Sequence, residues 1–378
     1  MNVVVLGSLA QSLVNFRGHL LRRLRAEGHA VTACAGDDDP AVRRELESQG
    51  IAFRHVPMAR TGRNPFQELG LVRRLVGLFD ELKPDVLLTY TIKPVIYGGW
   101  AAARIGVPRR IAMITGAGAA FCPGGVTRRV LKSIAVGLYR RSLPTYDRVV
   151  FQNPDDLAEF ASLRLMRPER AVRVWGSGVD LDHFAVAPAP GGQPRFLLIA
   201  RLIREKGVAD FVAAARILKR EFPQAVCQLL GPFYRSPSAI SERELEEWGG
   251  SGAIEYLGAA EDVRPALREA GVFVLPSYYR EGVPRSIQEA MAIGRPIVTT
   301  GMPGCRETVI DGRNGFLVPP RDPAALATAM LTLARSPELR MQMGAESRHL
   351  AEQRFDVHVI NDVLADLLVG RTVQRAAA

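Results

Sequence analysis

The chain predicts an α/β architecture of two doubly wound parallel sheets, and three observations carry that prediction. Apolar, β-branched runs alternate with amphipathic helices from one end to the other. The alternation breaks once, at a Pro/Gly-rich stretch, and then restarts. A length of 378 residues with 47% hydrophobic and 23% charged content suits two cores of ordinary size.

The elements follow in order. NVVVLGSL reads as a buried strand, LVNFRGHLLRRLRAEGH as an amphipathic helix, AVTACAG as a second strand, and Pro40 to Gln49 as a second helix. PDVLLTYT, RIAMIT and DRVVFQN are further continuous apolar strands, the pattern of a parallel sheet covered on both faces. Ala185 to Pro194, AVAPAPGGQP, has three prolines, two glycines and no apolar period, and reads as the interdomain linker. Strand RFLLIA, helix VADFVAAARILKREF, and strands AVCQLLG, IEYLG, VFVLPS, PIVTT and GFLVP then build the second sheet. A final helix from Val357 to Leu368 completes the chain and is free to pack back across the first domain. The expected domains are therefore 1–185 and 195–355 with a C-terminal helix in 356–378, the two sheets facing a central cleft. Ligands of such sheets bind beyond the carboxyl ends of the strands, so motifs are expected there.

Composition narrows the function classes. No apolar run reaches the ~18 residues of a spanning helix, and MNVVVLGSLAQS opens as a strand with no basic lead, which predicts a cytoplasmic protein. Cys34, Cys122, Cys227 and Cys305 are far apart, without CxxC spacing, and predict free thiols in a reducing compartment. The six histidines form no HExxH-like pair, so no metal site is expected; the run Asp37-Asp38-Asp39 reads as a solvated turn. The net charge of +10 is uneven: residues 1–190 hold 26 Lys/Arg against 17 Asp/Glu, residues 191–378 hold 23 against 22. From Val86 to Tyr146 there is no acidic residue, while nine cations occur there. An anionic partner is expected on that side.

Two segments carry chemistry. ARLIREKG follows strand RFLLIA and places Arg201 and Lys206 beside a helix N-terminus, where free N–H groups add to their charge and suit a diphosphate. A solvated loop with Lys206 paired to Glu205 fits the same residues. VFVLPSYYREGVPRSIQEAMA sets Glu281 in the turn after a strand and Pro284 at the first position of the next helix, with Glu289 one to two turns in. A carboxylate there accepts two hydrogen bonds from a ribose diol. Other Glu pairs with the same spacing, Glu247/Glu255, Glu261/Glu269 and Glu338/Glu346, lack this setting.

Taken together, RLIREKG, LGP, EYLGAAEDV, VLPSYYREGVPRSIQEAMAIGRPIVTT and PGCRETVIDGRNGFLVPPRD resemble family 4 of the retaining glycosyltransferases, which have the GT-B fold. LVNFRGHLLRRLRAEGHAV, YTIKPVIYGGWAAARIGVP, ITGAG, VVFQNPDDL and GSGVDLDHF extend the resemblance to the first half, toward the type that builds capsular polysaccharide and lipid-linked glycans. The resemblance implies that Arg201 and Lys206 neutralise the donor diphosphate and that Glu289 binds the ribose. Glu281, with the backbone of Gly282, Val283 and Pro284, would hold the transferred sugar, and loops at Gly231 and Gly258-Ala259 the uracil edge. It implies Ser12 beside the diphosphate, where relatives have Gly-Gly, with Ser12 serving as an N-cap. It implies an acceptor side at Asn15, Lys93, Thr115 and Gly116. A histidine is common in relatives at the position of Thr115, so no imidazole acts there in this chain. Lys93, between a strand and Pro94, suits an acceptor phosphate or hydroxyl and equally suits a snorkelling surface lysine. The implied donor is a UDP-sugar used without metal or other cofactor, the cations standing in for a metal.

VTRRVLKSIAVGLYRRSL reads as a basic amphipathic helix, with Val126, Val130, Leu131, Ile134, Ala135 and Leu138 on one arc and Arg128, Arg129, Lys132 and Arg140 opposite. Those four cations are the expected contacts to an anionic membrane, which would make the protein peripheral at the inner face of the cell membrane. An ordinary domain helix with a charged outer face fits as well. The leading function is transfer of a hexose or N-acetylhexosamine, of GalNAc or GlcNAc type, to an undecaprenyl-diphosphate-linked saccharide. Nucleotide-sugar epimerisation and a non-catalytic membrane scaffold are the alternatives. Nucleic-acid binding lacks an aromatic-rich basic module, and a dehydrogenase lacks GxGxxG after the first strand.

Overall fold

A computed structural model describes residues 1–58, 65–122, 125–234 and 236–371. It divides into two compact units, residues 1–177 with 357–378, and residues 178–356.

The first unit holds a seven-stranded parallel sheet made of β1 (Asn2–Leu6), β2 (Ala30–Ala35), β3 (Ala52–His55), β4 (Val86–Tyr90), β5 (Arg109–Ile114), β6 (Arg148–Phe151) and β7 (Ala171–Arg173). Their order is β3-β2-β1-β4-β5-β6-β7. The helices are α1 (Ala10–Ala26), α2 (Pro40–Ser48), α3 (Pro65–Leu82), α4 (Gly99–Ile105), α5 (Val126–Ser142), α6 (Pro154–Ser162) and, from the end of the chain, α13 (Val357–Val369). Strand side chains alternate between faces, and both faces are covered. Val3 and Val5 of β1 join a core with Leu13, Leu20, Leu24 and the α13 residues Ile360, Leu364 and Leu368. Val4 and Leu6 join the opposite core with Leu71, Leu75, Phe79, Ala135 and Tyr139. Arg109 Nε also donates to Leu367 O at 2.9 Å, and Arg23 pairs with Asp362, so α13 is fastened to this unit by polar groups too.

The second unit holds a six-stranded parallel sheet of β8 (Arg195–Ile199), β9 (Val226–Leu230), β10 (Glu255–Tyr256), β11 (Val272–Leu275), β12 (Ile297–Thr300) and β13 (Gly315–Val318), in the order β10-β9-β8-β11-β12-β13. Its helices are α7 (Val208–Glu221), α8 (Glu242–Gly250), α9 (Arg264–Glu269), α10 (Arg285–Ile293), α11 (Pro323–Arg335) and α12 (Pro337–Arg354). Their starts are marked by side-chain caps that the sequence supplies: Ser241 with Glu244 closes a capping box on α8, Asp322 caps α11, and Ser336 caps α12.

The boundary between units differs from the linker expected at Ala185 to Pro194. The chain crosses at 177/178 and returns at 356/357. The Pro/Gly-rich stretch instead lies on the second unit, where Ala187 N donates to Ile293 O at 3.1 Å and Arg295 Nη2 donates to Pro188 O at 3.0 Å. Prolines without N–H donors and with fixed φ can be pinned through their carbonyls, so a linker-like composition became a fastened strap.

Candidate active site

In each sheet the strand order reverses beside the first strand, between β8 and β11 in the second unit and between β1 and β4 in the first. A crevice opens at such a point beyond the carboxyl ends of the strands. In the second unit the loops leaving β8 and β11 fill that position and are tied together. Tyr278 N donates to Glu205 O at 2.9 Å, and Ser277 Oγ donates to the same carbonyl at 3.2 Å. Gly207, at φ 74°, ends the 3-10 turn before α7; a Cβ there would lie 2.1 Å from Pro276 O, so only glycine lets the two loops close.

This closure brings two of the residues singled out in the sequence into direct contact. Lys206 forms an ion pair with Glu281, their side chains only 11% and 12% exposed, and Ser277 Oγ donates to Glu281 Oε1 at 3.1 Å. The alternative partner of Lys206, Glu205, is itself buried. Gly304, from the loop after β12, backs the Glu281-Gly282 turn: its φ is 86°, and a Cβ would come within 2.2 Å of Gly282 O. The Cys305 thiol beside it is fully buried, and burial, aided by the charge of Glu281, pushes it up to about 12. Arg201 leaves the end of β8 with its guanidinium carbon 4.6 Å from the Tyr234 ring centroid.

Glu289 lies in α10 and pairs with Arg285 one turn earlier at 3.0 Å. Arg285 Nη1 also donates to Gly178 O at 2.6 Å. Burial raises the Glu289 carboxyl above the usual carboxylate range, against the opposing pull of Arg285. Pro284 is the N-cap, with extended ψ of 123°, and not the first helical residue; α10 starts at Arg285. Gln288 Nε2 donates to Val283 O at 3.2 Å, so that carbonyl of the turn is already satisfied.

The loops after β9 and β10 brace each other. Gly231 N donates to Gly258 O at 2.8 Å, and Tyr256 Oη donates to Gly231 O at 2.9 Å. The Gly231 amide and carbonyl therefore both bond to the neighbouring loop, while Ala259, next along, lies exposed. A backbone group in a tight loop meets its obligation with the neighbouring loop when one is within reach.

At the switch point of the first sheet, Ser8 Oγ and Thr91 Oγ1 meet at 2.5 Å, and Thr91 holds φ 69°. Ser12 does not cap α1: Leu9 is the N-cap, Ser12 Oγ donates to Leu9 O at 2.6 Å and meets Tyr90 Oη at 2.7 Å. The α1 N-terminus is served instead by Asp37, which accepts from Ala10 N at 2.6 Å. Asp39 caps α2 and Asp38 pairs with Arg43 at 2.7 Å, which gives each member of the acidic run a structural partner. Lys93 is neither snorkelling nor bare: it pairs with Glu68 of α3, both side chains largely covered. Asn15 is exposed on α1, accepting from Gln11 Nε2 at 3.3 Å. Thr115 and Gly116 follow β5, next to Ala117, whose N–H is held by Asp156 at 2.9 Å.

The arcs expected for α5 are turned. Its core face is Ala135, Tyr139 and Ser142. Lys132 is drawn to that flank by Glu159 at 2.5 Å and lies 5.2 Å from the Phe121 ring centroid, and Arg128 is half-buried. Of the expected apolar arc, Ala135 is buried, whereas Val126, Val130 and Ile134 face outward. The sequence contains two apolar stripes on this helix, and the one with the aromatic and small residues packs more closely.

Sequence reasoning missed Arg285, Ser277, Gly304 and Thr91. Arg285 was legible from its i, i+4 spacing to Glu289; Ser277 and Gly304 act across loops distant in sequence and left no local signal.

Two doubly wound parallel sheets, with Arg201, Lys206 and Glu281 on the loops at the β8/β11 switch point and Glu289 in the helix that follows β11, give the chain the GT-B fold class. Residues 193–336 match the family model described as glycosyl transferases group 1, and residues 14–175 that of the glycosyl transferase 4-like domain. A Streptomyces avermitilis D-inositol 3-phosphate glycosyltransferase is 30% identical over 83% of this chain and 68% of its own. A Campylobacter jejuni protein, N,N'-diacetylbacillosaminyl-diphospho-undecaprenol alpha-1,3-N-acetylgalactosaminyltransferase, is 26% identical over 95% of this chain and 96% of its own. Among solved structures, Anabaena HepE in complex with UDP superposes with a TM-score of 0.77 at 20% identity, over 98% of this chain and 100% of that one. The chain belongs to this family and is a glycosyltransferase.

Proposed function

We propose that the protein is a retaining glycosyltransferase of bacterial surface-glycan assembly. It moves a hexose or N-acetylhexosamine from a UDP-sugar to an undecaprenyl-diphosphate-linked saccharide at the inner face of the cell membrane. The observation that carries this reading is the Lys206–Glu281 pair and the Glu289 carboxylate on adjoining elements at the β8/β11 switch point, with Arg201 on the loop between β8 and Lys206.

In this reading the donor diphosphate takes Lys206 from Glu281 and draws Arg201 to its other oxygens. Fixed cations then stabilise the negative charge that builds on the leaving UDP, without a metal ion. Glu281, released from Lys206, turns to the hydroxyls of the transferred sugar, and Glu289 accepts from the ribose diol. Ser8, Thr91 and Thr115 supply hydroxyls for the acceptor at the first sheet. The polyprenyl diphosphate acceptor is supported by the name and full-length likeness of the Campylobacter relative, and the UDP moiety by the complex in which the Anabaena structure was solved.

The test is a transfer assay offering UDP-GalNAc, UDP-GlcNAc and UDP-glucose with short-chain polyprenyl-diphosphate glycans, the product anomer read by NMR. Consumption of one UDP-sugar with an α-linked product is the expected result. No transfer from any UDP-sugar, or a β-linked product, overturns the donor class or the retention of configuration respectively.

A further inference from the structure

The outer face of α5 combines two features that a water-exposed helix ordinarily keeps apart. Val126, Val130 and Ile134, at i, i+4 and i+8, are 76%, 52% and 55% exposed. On the same arc Arg129, Arg140 and Arg141 are exposed as well, and α5 contains no acidic residue. The opposite face, with Ala135, Tyr139 and Ser142, already closes against the core of the unit, so the outer stripe contributes nothing to packing. Three adjacent β-branched side chains standing in water mark a contact surface.

The mixture selects the partner. An acidic protein or nucleic-acid surface would satisfy the guanidinium groups and leave the valines wet, whereas an apolar protein surface would do the reverse. An anionic bilayer interface offers both within one helix diameter: acyl-chain boundary for the apolar stripe and headgroup phosphates for the arginines.

We propose that α5 lies in the plane of an anionic lipid surface, with Val126, Val130 and Ile134 inserted and Arg129, Arg140 and Arg141 on the phosphates. Arg128 and Lys132 do not take part, since Lys132 is held by Glu159 and Arg128 sits on the half-buried flank. The inference deepens the lipid-linked-acceptor reading and rests on it for its purpose; its test does not depend on transfer.

The full-length protein is floated with vesicles of phosphatidylglycerol and phosphatidylcholine, and with vesicles of phosphatidylcholine alone. Binding is expected only to the anionic mixture and falls as salt is raised. The Val126→Ser/Val130→Ser/Ile134→Ser variant, folded by circular dichroism, loses at least about tenfold in partition. Each of Arg129→Gln, Arg140→Gln and Arg141→Gln loses roughly fivefold, while Arg128→Gln/Lys132→Gln changes it by no more than about twofold. UDP binding in solution is unchanged in all of them. Wild-type flotation by the serine variant overturns the proposal. So does a wild-type dimer in sedimentation that the serine variant dissolves, which would make the stripe an interface between copies. If flotation behaves as stated but no polyprenyl-linked glycan is extended, the acceptor reading fails and the surface stands.

Discussion

The Lys206 ammonium and the Glu281 carboxylate, 75 residues apart in sequence, are ion-paired at the junction of the loops leaving β8 and β11, with Ser277 Oγ also on the carboxylate. The pair keeps two nearly covered charges compensated before any donor arrives. Removing one partner strands the other, which for a covered pair costs roughly 2–4 kcal/mol. Lys206→Ala is therefore expected to lower the melting temperature of the free protein and also to slow turnover, because the diphosphate loses a fixed cation. Glu281→Gln separates the two roles. It frees Lys206, so UDP affinity by calorimetry should hold or rise, while sugar transfer falls roughly a hundredfold. A parallel loss of UDP affinity in Glu281→Gln would place the carboxylate on the wrong part of the donor.

Arg285 is the positioning residue of the site, bonded to Glu289 Oε1 at 3.0 Å and to Gly178 O at 2.6 Å. Without it, burial is left as the main influence on Glu289, and the carboxyl rises further above its ordinary value. Arg285→Ala is expected to raise the donor KM by about tenfold, the effect of roughly 1.4 kcal/mol, with little change in kcat. The pH at which UDP binding is half-maximal should move upward with it. Restoration by Arg285→Lys of the pH midpoint but not of the full affinity would match the loss of a forked donor. An unmoved midpoint would assign Arg285 to the Gly178 carbonyl alone.

Glu289 also links function to stability. Its folded carboxyl binds a proton more tightly than the unfolded one, because burial disfavours the charge. Native protein then holds more protons than unfolded protein from the ordinary carboxylate range up to the raised value, and across that window stability falls as pH rises. Beyond it the loss is complete. Glu289→Gln removes this slope, so its melting temperature should gain on wild type as the buffer passes from acid to neutral, while UDP affinity drops. A constant difference between the two melting curves at all pH values would refute the linkage.

The placement of these residues at strand ends was legible in the sequence, for physical reasons that can be named. Arg201, Lys206, Glu281 and Glu289 follow apolar runs that only a buried parallel sheet accommodates, and in such sheets strand ends fix where loops meet. What stayed hidden were contacts between segments distant in sequence: Gly231 with Gly258, Ser277 with Glu205, and Lys93 with Glu68. None has a local sequence signature, because the partners are brought together by sheet order. The rotated arc of α5 has a different origin. A helical wheel ranks residues by hydropathy, whereas Tyr139 won its place beside Ala135 in the core by shape, packing edge-on at 5.1 Å against Phe160.

Gly304 tests whether the Glu281 turn must be held from behind. With φ at 86° and Gly282 O only 2.2 Å from where a Cβ would stand, Gly304→Ala strains its own backbone and pushes the turn away. The strain alone is worth about 1–3 kcal/mol. Transfer activity is expected to fall more steeply than UDP affinity, since the displaced groups are Glu281 and Gly282 and not Arg201. An active, fully stable alanine variant would show that the loop after β12 can retreat and that the turn supports itself.

Thr91 stores strain at the other switch point. A β-branched residue at φ 69° is uncommon, and this one stands where β4 ends, its hydroxyl 2.5 Å from Ser8 Oγ at the end of β1. Asparagine tolerates the left-handed region and keeps a polar group within reach of Ser8, so Thr91→Asn should stabilise the protein by about 1 kcal/mol in urea titration. If the strain persists because the Thr91 hydroxyl meets the acceptor, the same variant should raise the acceptor KM and leave the UDP-sugar KM alone. A stabilised variant with both constants intact would mean that Thr91 is tolerated rather than used, and that the acceptor is held by other groups of the first sheet.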